Sequence, residues 1–441
     1  MIKKEEIFDL VRAYYKENFV HKDYIEGDYI QYGGILHDEK EMINIVDTAL
    51  DFRLAGGNYH DTFEKKLAKF LNVKRSLLTT SGSSANLIAF MTLTSPLLKD
   101  RRINRGDEVI TVAAGFPTTI NPLIQFGAIP VFVDITIPQY NIDVKMLEQA
   151  LSKKTKAVII AHTLGNPFDL KAVKEFCDKN KLWLIEDNCD ALGSQYNLDG
   201  ENKYTGTIGD LGTSSFYPPH HMTMGEGGAV YTSNSILYKI AKSIRDWGRD
   251  CACPPGVDNT CNNRFTRQDG ELPTGYDHKY VYSHFGYNLK VTEMQAAIGV
   301  AQLDKLQTII DRRRENFDYI YSQFKQFEEK FILPERSENS KPSWFGFLIT
   351  CKEQVDRNHI TKYLEKKGVQ TRNLFAGNFI KHPAFDEMRV NGTGYRVIGD
   401  LKNTDIVMNN TFWLGVYPGI TNKKIDYITK VISEYFNHEY N

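Results

Sequence analysis

The chain has 441 residues, 41% of them hydrophobic and 25% charged, and its 54 Lys and Arg nearly cancel its 55 Asp and Glu, leaving a formal charge of −1. A balance this close to neutral offers no broad field for nucleic acid or an anionic membrane surface, and no apolar run reaches the ~18 residues that span a bilayer. These numbers predict a soluble, cytoplasmic protein with a core large enough for one big domain and a smaller one, acting on small molecules.

In chain order, MIKKEEIFDLVRAYYKENF is charged throughout and reads as an amphipathic helix, because a signal peptide needs an unbroken apolar stretch. Residues 1–50 are expected to form a helical segment packed on the small domain. From about residue 75 to 235 the apolar runs DEVITVAAGF, IPVFVDI, KAVIIAHTLG, LWLIEDN, GTSSFYP and GAVYTS alternate with stretches of helix length. Runs this apolar belong to strands buried on both faces. They predict an α/β fold with a mostly parallel sheet flanked by helices, spanning 51–310, with ligands beyond the carboxyl ends of the strands. Phe116, Asp187 and Ser215 fall at those ends. The helical stretch MQAAIGVAQLDKLQTIIDRRRENFDYIYSQF carries the boundary to a smaller α/β unit, 311–441, with SWFGFLIT as a strand and DYITKVISEYF as a closing helix.

TTSGSSANL, Thr79 to Leu87, places small residues before a helical run, which lets backbone N–H groups approach a phosphate. A turn that merely caps a helix explains the same residues. LWLIEDNCDALGS ends a buried strand in Glu186 and Asp187, whose side chains alternate, so one can face a site while the other faces away. A carboxylate against a pyridine nitrogen keeps the ring protonated and makes it an electron sink, although Asp is also a common helix cap.

A phosphate loop, then an acid at a strand end, then SFYPPHH with GEGGA make an order that resembles the pyridoxal-phosphate enzymes of the aspartate aminotransferase fold (fold type I), in the branch acting on nucleotide-linked keto-sugars. Further matching pieces are AAGFPTTINP, HTLGNPFDL and GYNLKVTEMQAAIG, and the likeness runs from about Asn58 to the carboxyl end. In that branch a lysine that tethers the cofactor follows SF after three residues. Here that place is His220, and no lysine occurs between Lys203 and Lys239.

An imidazole cannot make the tether, so pyridoxamine or pyridoxal phosphate is expected to sit non-covalently. His can still take a proton near neutrality. A base without a tether suits dehydration better than amino transfer, with His220 taking a proton from the cofactor's methylene carbon as the neighbouring hydroxyl leaves. A packed core histidine in a degenerate site is the plainer explanation. His221 is expected to support the site or touch substrate.

Downstream, SIRDWGRDCACPPGVDNTCNNRF sets Cys251, Cys253 and Cys261 in a C-x-C-x7-C run within a loop, 246–265. In a reducing compartment this is a metal signal that fits zinc or iron–sulfur. Forming a 3-deoxy sugar needs two electrons, which a [2Fe–2S] centre delivers singly and zinc cannot carry. Cys189, in EDNCD, is the expected fourth ligand, or else a thiol packed under the ring. Cys177 and Cys351 read as buried structural thiols.

EDNCDALG, SFYPPHHMTMGEGG, RDWGRDC-x-C and GYDHKY with GYNLK together resemble the CDP-4-keto-6-deoxy-D-glucose 3-dehydrases, pyridoxamine-phosphate iron–sulfur enzymes of 3,6-dideoxyhexose biosynthesis in lipopolysaccharide O-antigens. The resemblance implies that Phe116 stacks on the ring, that Gly82, Ser83 and Ser215 hold the phosphate, and that Asn288 reaches that seat from the second subunit of a homodimer. It places Asp190 near the ring hydroxyl, with no settled role. It also implies a CDP-linked 4-keto-6-deoxy sugar as substrate and an NAD(P)H-dependent iron–sulfur flavin reductase as partner. Arg372, in QTRNLFAGNF, suits a diphosphate or a surface ion pair, and YDHKYVYSHFGYN suits a sugar wall or a packed aromatic region. Two rival readings are a cluster-free 3-dehydratase of a GDP-linked 4-keto-6-deoxy sugar and a non-catalytic zinc- or cofactor-binding scaffold.

Overall fold

The structure is a computed structural model and describes residues 2–20, 22–251, 253, 258–260 and 262–439; Cys261 lies outside them. Seven strands in chain order build most of the main sheet: β1 (Arg75–Thr79), β2 (Glu108–Val112), β3 (Ile129–Val133), β4 (Thr155–Ala161) and β5 (Trp183–Asp187) come first. After the hairpin β6 (Gln195–Leu198) and β7 (Glu201–Tyr204), which lies outside this sheet, follow β8 (Leu211–Ser215) and β9 (Gly228–Thr232). The spatial order is β1-β9-β8-β5-β4-β2-β3, closed at the far edge by Arg396–Val397. Every residue of β2, β5, β8 and β9 is buried, as continuous apolar runs require when helices cover both faces.

The strands from β3 across to β8 run parallel, which bears out the mostly parallel sheet. β9 turns back antiparallel to β8 and β1, because residues 216–227 hold no crossover helix to carry the chain over. This turn brings β9 against the start of the helix Gly82–Thr92. A Cβ on Gly228 would lie 2.3 Å from the Ser81 carbonyl oxygen and 2.7 Å from the Gly82 nitrogen, so only glycine permits the approach.

The helix Leu306–Phe324 crosses between the two units, as the sequence pattern suggests. Its Ile310 joins the cluster of Phe216, Met222 and Met224, whereas Phe317, Ile320 and Phe324 enter the core of the smaller unit with Phe347 and Ile349. That unit is a four-stranded sheet ordered Phe331–Ile332, Gly346–Cys351, Thr411–Gly415 and Arg372–Asn373. The amino-terminal segment departs from expectation. Its helix Glu39–Leu50 packs on Glu293–Leu303 of the large unit, with Asn44 donating to the Ala297 carbonyl at 3.0 Å and Gln302 to Glu41 at 2.6 Å. The stretch from Tyr24 to Ile30, where Ile30 pairs with Val369, does reach the small unit's core. The reason is polar: Glu41 is buried and finds its partners, Gln302 and Lys305, on the large unit.

Candidate active site

The carboxyl ends of β2, β4, β5 and β8 open onto one cavity of about 300 Å³. Its wall combines Gly82, Ser83, Phe116, Asp187, Cys189, Asp190, Ser215, Tyr217 and His220 with Arg372 and Phe345 of the small unit and Tyr32 of the amino-terminal stretch. Residues far apart in the chain meet here because parallel strands deliver successive loops to one edge.

Asp187 ends β5 and faces the cavity, while Glu186 faces away, as alternation demands. Glu186 accepts from the backbone nitrogens of Gly206 at 2.7 Å and Ile208 at 2.8 Å and meets His162 Nε2 at 3.0 Å. Asp187 is held by groups that sequence reasoning missed. Asn86 Nδ2 and Thr119 Oγ1 donate to its Oδ2 at 2.7 and 2.6 Å, the Cys189 backbone nitrogen donates to Oδ1 at 3.1 Å, and Thr213 Oγ1 fixes Asn86 at 2.7 Å. Asn86 was findable: it stands four residues after Gly82 on the same helix face.

The helix Gly82–Thr92 starts at the cavity, capped by Ser81 Oγ accepting from the Ser84 nitrogen at 3.0 Å. Gly82 is needed there, since a Cβ would lie 2.5 Å from Ser215 Cβ and 3.0 Å from Cys189 Sγ. Phe116, at 47% exposure, offers an open ring face beside the cavity. A helix start with small residues, an aromatic face and an anchored carboxylate make a donor set that fits a phosphorylated pyridine.

His220 lines the cavity with its Nδ1 3.4 Å from Asp190 Oδ1, a contact too poorly aligned for a hydrogen bond. Burial, and after it the Arg313 cation, push the imidazole down to about 3. Burial and the neighbouring Asp187 charge push Asp190 up to about 8. The pair therefore favours an uncharged imidazole beside a carboxyl that holds its proton through neutrality.

His221 does not itself line the cavity: its buried Nε2 lies 2.9 Å from the Ser343 carbonyl oxygen, and its ring stands 6.4 Å from that of Phe345, which does line it. Arg372 does reach the cavity, its guanidinium 4.3 Å from the centre of the Tyr32 ring. Asn288 is exposed, accepts from Lys290 Nζ at 2.6 Å and does not line this cavity. Along 276–287, which does not line this cavity, His278 and Val281 are buried, while Tyr276, Tyr280, Tyr282 and Tyr287 are exposed and Phe285 is 99% exposed.

The cysteines divide. Cys251 and Cys253 line a small pocket with Arg264, His278 and Lys279, and the Thr260 hydroxyl, 3.0 Å from Cys253 Sγ, draws that thiol below its ordinary value. Cys189 lines the large cavity instead, where burial and then the Asp187 charge hold its thiol protonated. Among the described residues no three His, Cys, Asp or Glu side chains assemble into a metal site. Cys177 and Cys351 are buried thiols, as expected. No helix among the described residues is long and apolar enough to cross a membrane.

Residues 36–433 match the DegT/DnrJ/EryC1/StrS aminotransferase family. The chain is 52% identical over 436 residues to the lipopolysaccharide biosynthesis protein RfbH of Salmonella typhimurium, covering 98% of both. It is 45% identical to a dTDP-4-dehydro-2,6-dideoxy-D-glucose 3-dehydratase of Saccharopolyspora spinosa, covering 98% of this chain and 92% of that one. Among solved structures, a histidine-to-asparagine mutant of GDP-4-keto-6-deoxymannose-3-dehydratase with bound GDP-perosamine superposes with a TM-score of 0.81 at 29% identity, covering 92% of this chain and all of that one. An Escherichia coli GDP-4-keto-6-deoxy-D-mannose-3-dehydratase with bound hydrated PLP gives 0.79 at 28% identity, covering 91% and 99%. The fold is that of the PLP-dependent fold type I sugar aminotransferases and dehydratases.

Proposed function

Because the chain belongs to the DegT/DnrJ/EryC1/StrS aminotransferase family yet carries no lysine at its tethering place, we propose that it is a 3-dehydratase of a nucleotide-linked 4-keto-6-deoxy sugar, working with non-covalent pyridoxamine phosphate. The observation that carries the reading is His220 on the wall of the cavity that Asp187, anchored by Asn86, also lines. When bound, pyridoxamine phosphate would supply an amine for the sugar ketone and a ring that stores an electron pair.

The chain's own residues divide the rest of the work. Gly82, Ser83 and Ser215 would hold the phosphate at the helix start, and Phe116 the ring face. Asp187, with Oδ2 taken by Asn86 and Thr119, would hold the ring nitrogen's proton. His220 Nδ1 faces Asp190, which leaves Nε2 to take a proton from carbon. Asp190 already holds a proton through neutrality and takes none, so the proton that His220 accepts is passed to the departing hydroxyl, which leaves as water. Arg372 over Tyr32 meets the nucleotide diphosphate, and the CDP nucleotide is part of the same proposal.

For the loop with Cys251 and Cys253 we propose a [2Fe–2S] cluster, completed by Cys261 and Cys189 and fed by an NAD(P)H-dependent flavin reductase. The support is the spacing of the thiols, the pocket shared by Cys251 and Cys253, and the two-electron need of a 3-deoxy product. The exposed aromatic run 276–287, next to Asn288, supports a homodimer in which that run is covered. A cluster-free dehydratase is the second reading, favoured by the likeness to the GDP-4-keto-6-deoxymannose enzyme.

Incubating the protein with pyridoxamine phosphate and CDP-, dTDP- or GDP-linked 4-keto-6-deoxy sugars tests the proposal. Loss of the C-3 hydroxyl is expected. Amino-sugar formation with glutamate, or no turnover of any of them, would overturn it. Iron and sulfide analysis decides the second point, since zinc in place of iron leaves only the cluster-free reading or the scaffold.

A further inference from the structure

Arg313 is 1% exposed, and among the described residues no carboxylate lies within ion-pair distance of it. Its guanidinium instead grips four backbone carbonyls. Nη2 donates to Pro219 and His220 at 3.1 and 3.0 Å, and Nη1 donates to Trp344 and Phe345 at 3.3 and 3.4 Å. It lies 5.7 Å from the centre of the Phe345 ring, and the His220 ring packs on that same ring at 5.0 Å.

His220 stands in a segment that is neither helix nor strand, and its own nitrogen has one backbone tie, to the Tyr217 carbonyl at 3.0 Å. A buried cation is costly, Asp190 acts on Arg313 only from beyond ion-pair distance, and a clamp on carbonyls alone would be met by a neutral donor. The charge therefore has a second use.

We propose that Arg313 is the positioning residue of the site: it locks the His220 backbone onto the small unit's Trp344–Phe345 stretch and keeps the imidazole unprotonated and ready to accept. This rests on His220 being the proton acceptor. The charged and titratable groups around His220 are Asp190 in the loop after β5, His221 beside it, and Arg313 with Arg314 on the helix Leu306–Phe324. Asp190 holds its proton through neutrality, so a negative charge there would favour the protonated ring only above about 8. The depressed imidazole, with burial first and Arg313 second among its causes, agrees with this placement.

The test reads the histidine itself as well as turnover. In cofactor-free protein labelled with [15N]histidine, the His220 ring signal is identified by its absence from His220→Asn. In Arg313→Gln its titration midpoint should rise by about one pH unit or more. In the loaded enzyme kcat should fall about 10- to 100-fold with KM little changed, the cost of a misplaced group. Arg313→Lys keeps the charge but not the fork, so kcat should fall while the midpoint stays near the parent's. A folded Arg313→Gln protein with an unmoved midpoint, or with parental kcat, overturns the proposal. Should that variant not fold, Arg313→Lys decides, with parental kcat overturning it and a reduced kcat at parental KM supporting it. Failure of the underlying reading shows separately, as parental dehydration by His220→Asn, and leaves the midpoint comparison intact.

Discussion

Around the large cavity Ser83, Asp187 and Ser215 are set by a helix start and strand ends, whereas the loop holding Cys251 and Cys253 is tied down by ion pairs near the surface. Asp187 is gripped by Asn86 and Thr119 inside the sheet, out of water. The loop relies on Arg264 with Asp277 at 2.7 Å, Arg267 with Asp250 at 3.0 Å, His278 with Asp250 at 2.8 Å, and Lys279 with Asp258. Hydrogen bonds in a dry interior keep their strength, while exposed ion pairs are each worth roughly 0–1 kcal/mol. The first region is held by buried hydrogen bonds, and in the second the proposed cluster would complete the arrangement.

The strongest way to break this contrast is His220→Asn. Dehydration should fall about 10²- to 10⁴-fold, the span general-base loss covers, while pyridoxamine phosphate binding stays near the parent's. Following the sugar product and the cofactor absorbance separately would expose any role of His220 in binding instead.

Replacing Cys251 and Cys253 together by Ser should strip iron to background and stop formation of reduced product, yet leave cofactor binding untouched. Cys189→Ser sharpens the comparison, because loss of iron marks it as a ligand from the other region and retained iron marks it as a thiol packed beside Asp187. Metal analysis reads both.

Asn86→Leu leaves Asp187 Oδ2 with Thr119 alone and Thr213 Oγ1 with only its long 3.5 Å bond to Asp187 Oδ1. An unmade buried hydrogen bond costs about 1–3 kcal/mol, so cofactor affinity should drop about 5- to 100-fold. Equilibrium binding that matches the parent would show that Thr119 and the Cys189 backbone nitrogen suffice to set Asp187.

The pH dependence of stability follows from the same burial. His60, His220 and His221 are held below the ordinary 6.5, so the unfolded chain takes up protons that the fold refuses and stability falls as pH drops below about 6.5. Asp190, raised to about 8, works the other way: the fold keeps a proton that the unfolded chain releases, so its contribution declines as pH rises through neutrality toward 8. Thermal unfolding should therefore peak near pH 6.5, and Asp190→Asn should flatten the alkaline side. The smallest effect is expected from salt. At about 1 M NaCl the pairs around the cysteine loop are screened, and limited proteolysis near residues 250–265 should quicken while the cavity region resists.

Much of the first region was legible beforehand. Buried strands announce themselves as apolar runs, and Phe116, Asp187, Ser215 and His220 stand at their ends or in their loops, so the order of motifs already assembled the cavity. The antiparallel return of β9 and the packing of Glu39–Leu50 on the large unit were not legible, because they depend on partners such as Ser81 and Gln302 that are remote in the chain. Which way His221 faces was not legible for a related reason. Adjacent residues in an irregular loop follow no period, so its facing toward Ser343 is decided by that neighbour.

By itself the sequence determined the chemistry available: a pyridine-type seat, a histidine where a lysine would tether, and closely spaced thiols, since these are matters of residue type and local spacing. Only the tertiary structure decided how that chemistry is tuned. Arg313 lies 93 residues from His220 and carries no local signature, yet it grips that residue's carbonyl. Asp190 is an ordinary acid until burial beside Asp187 raises it. Desolvation and charge act through space, and space is what folding adds to the chain.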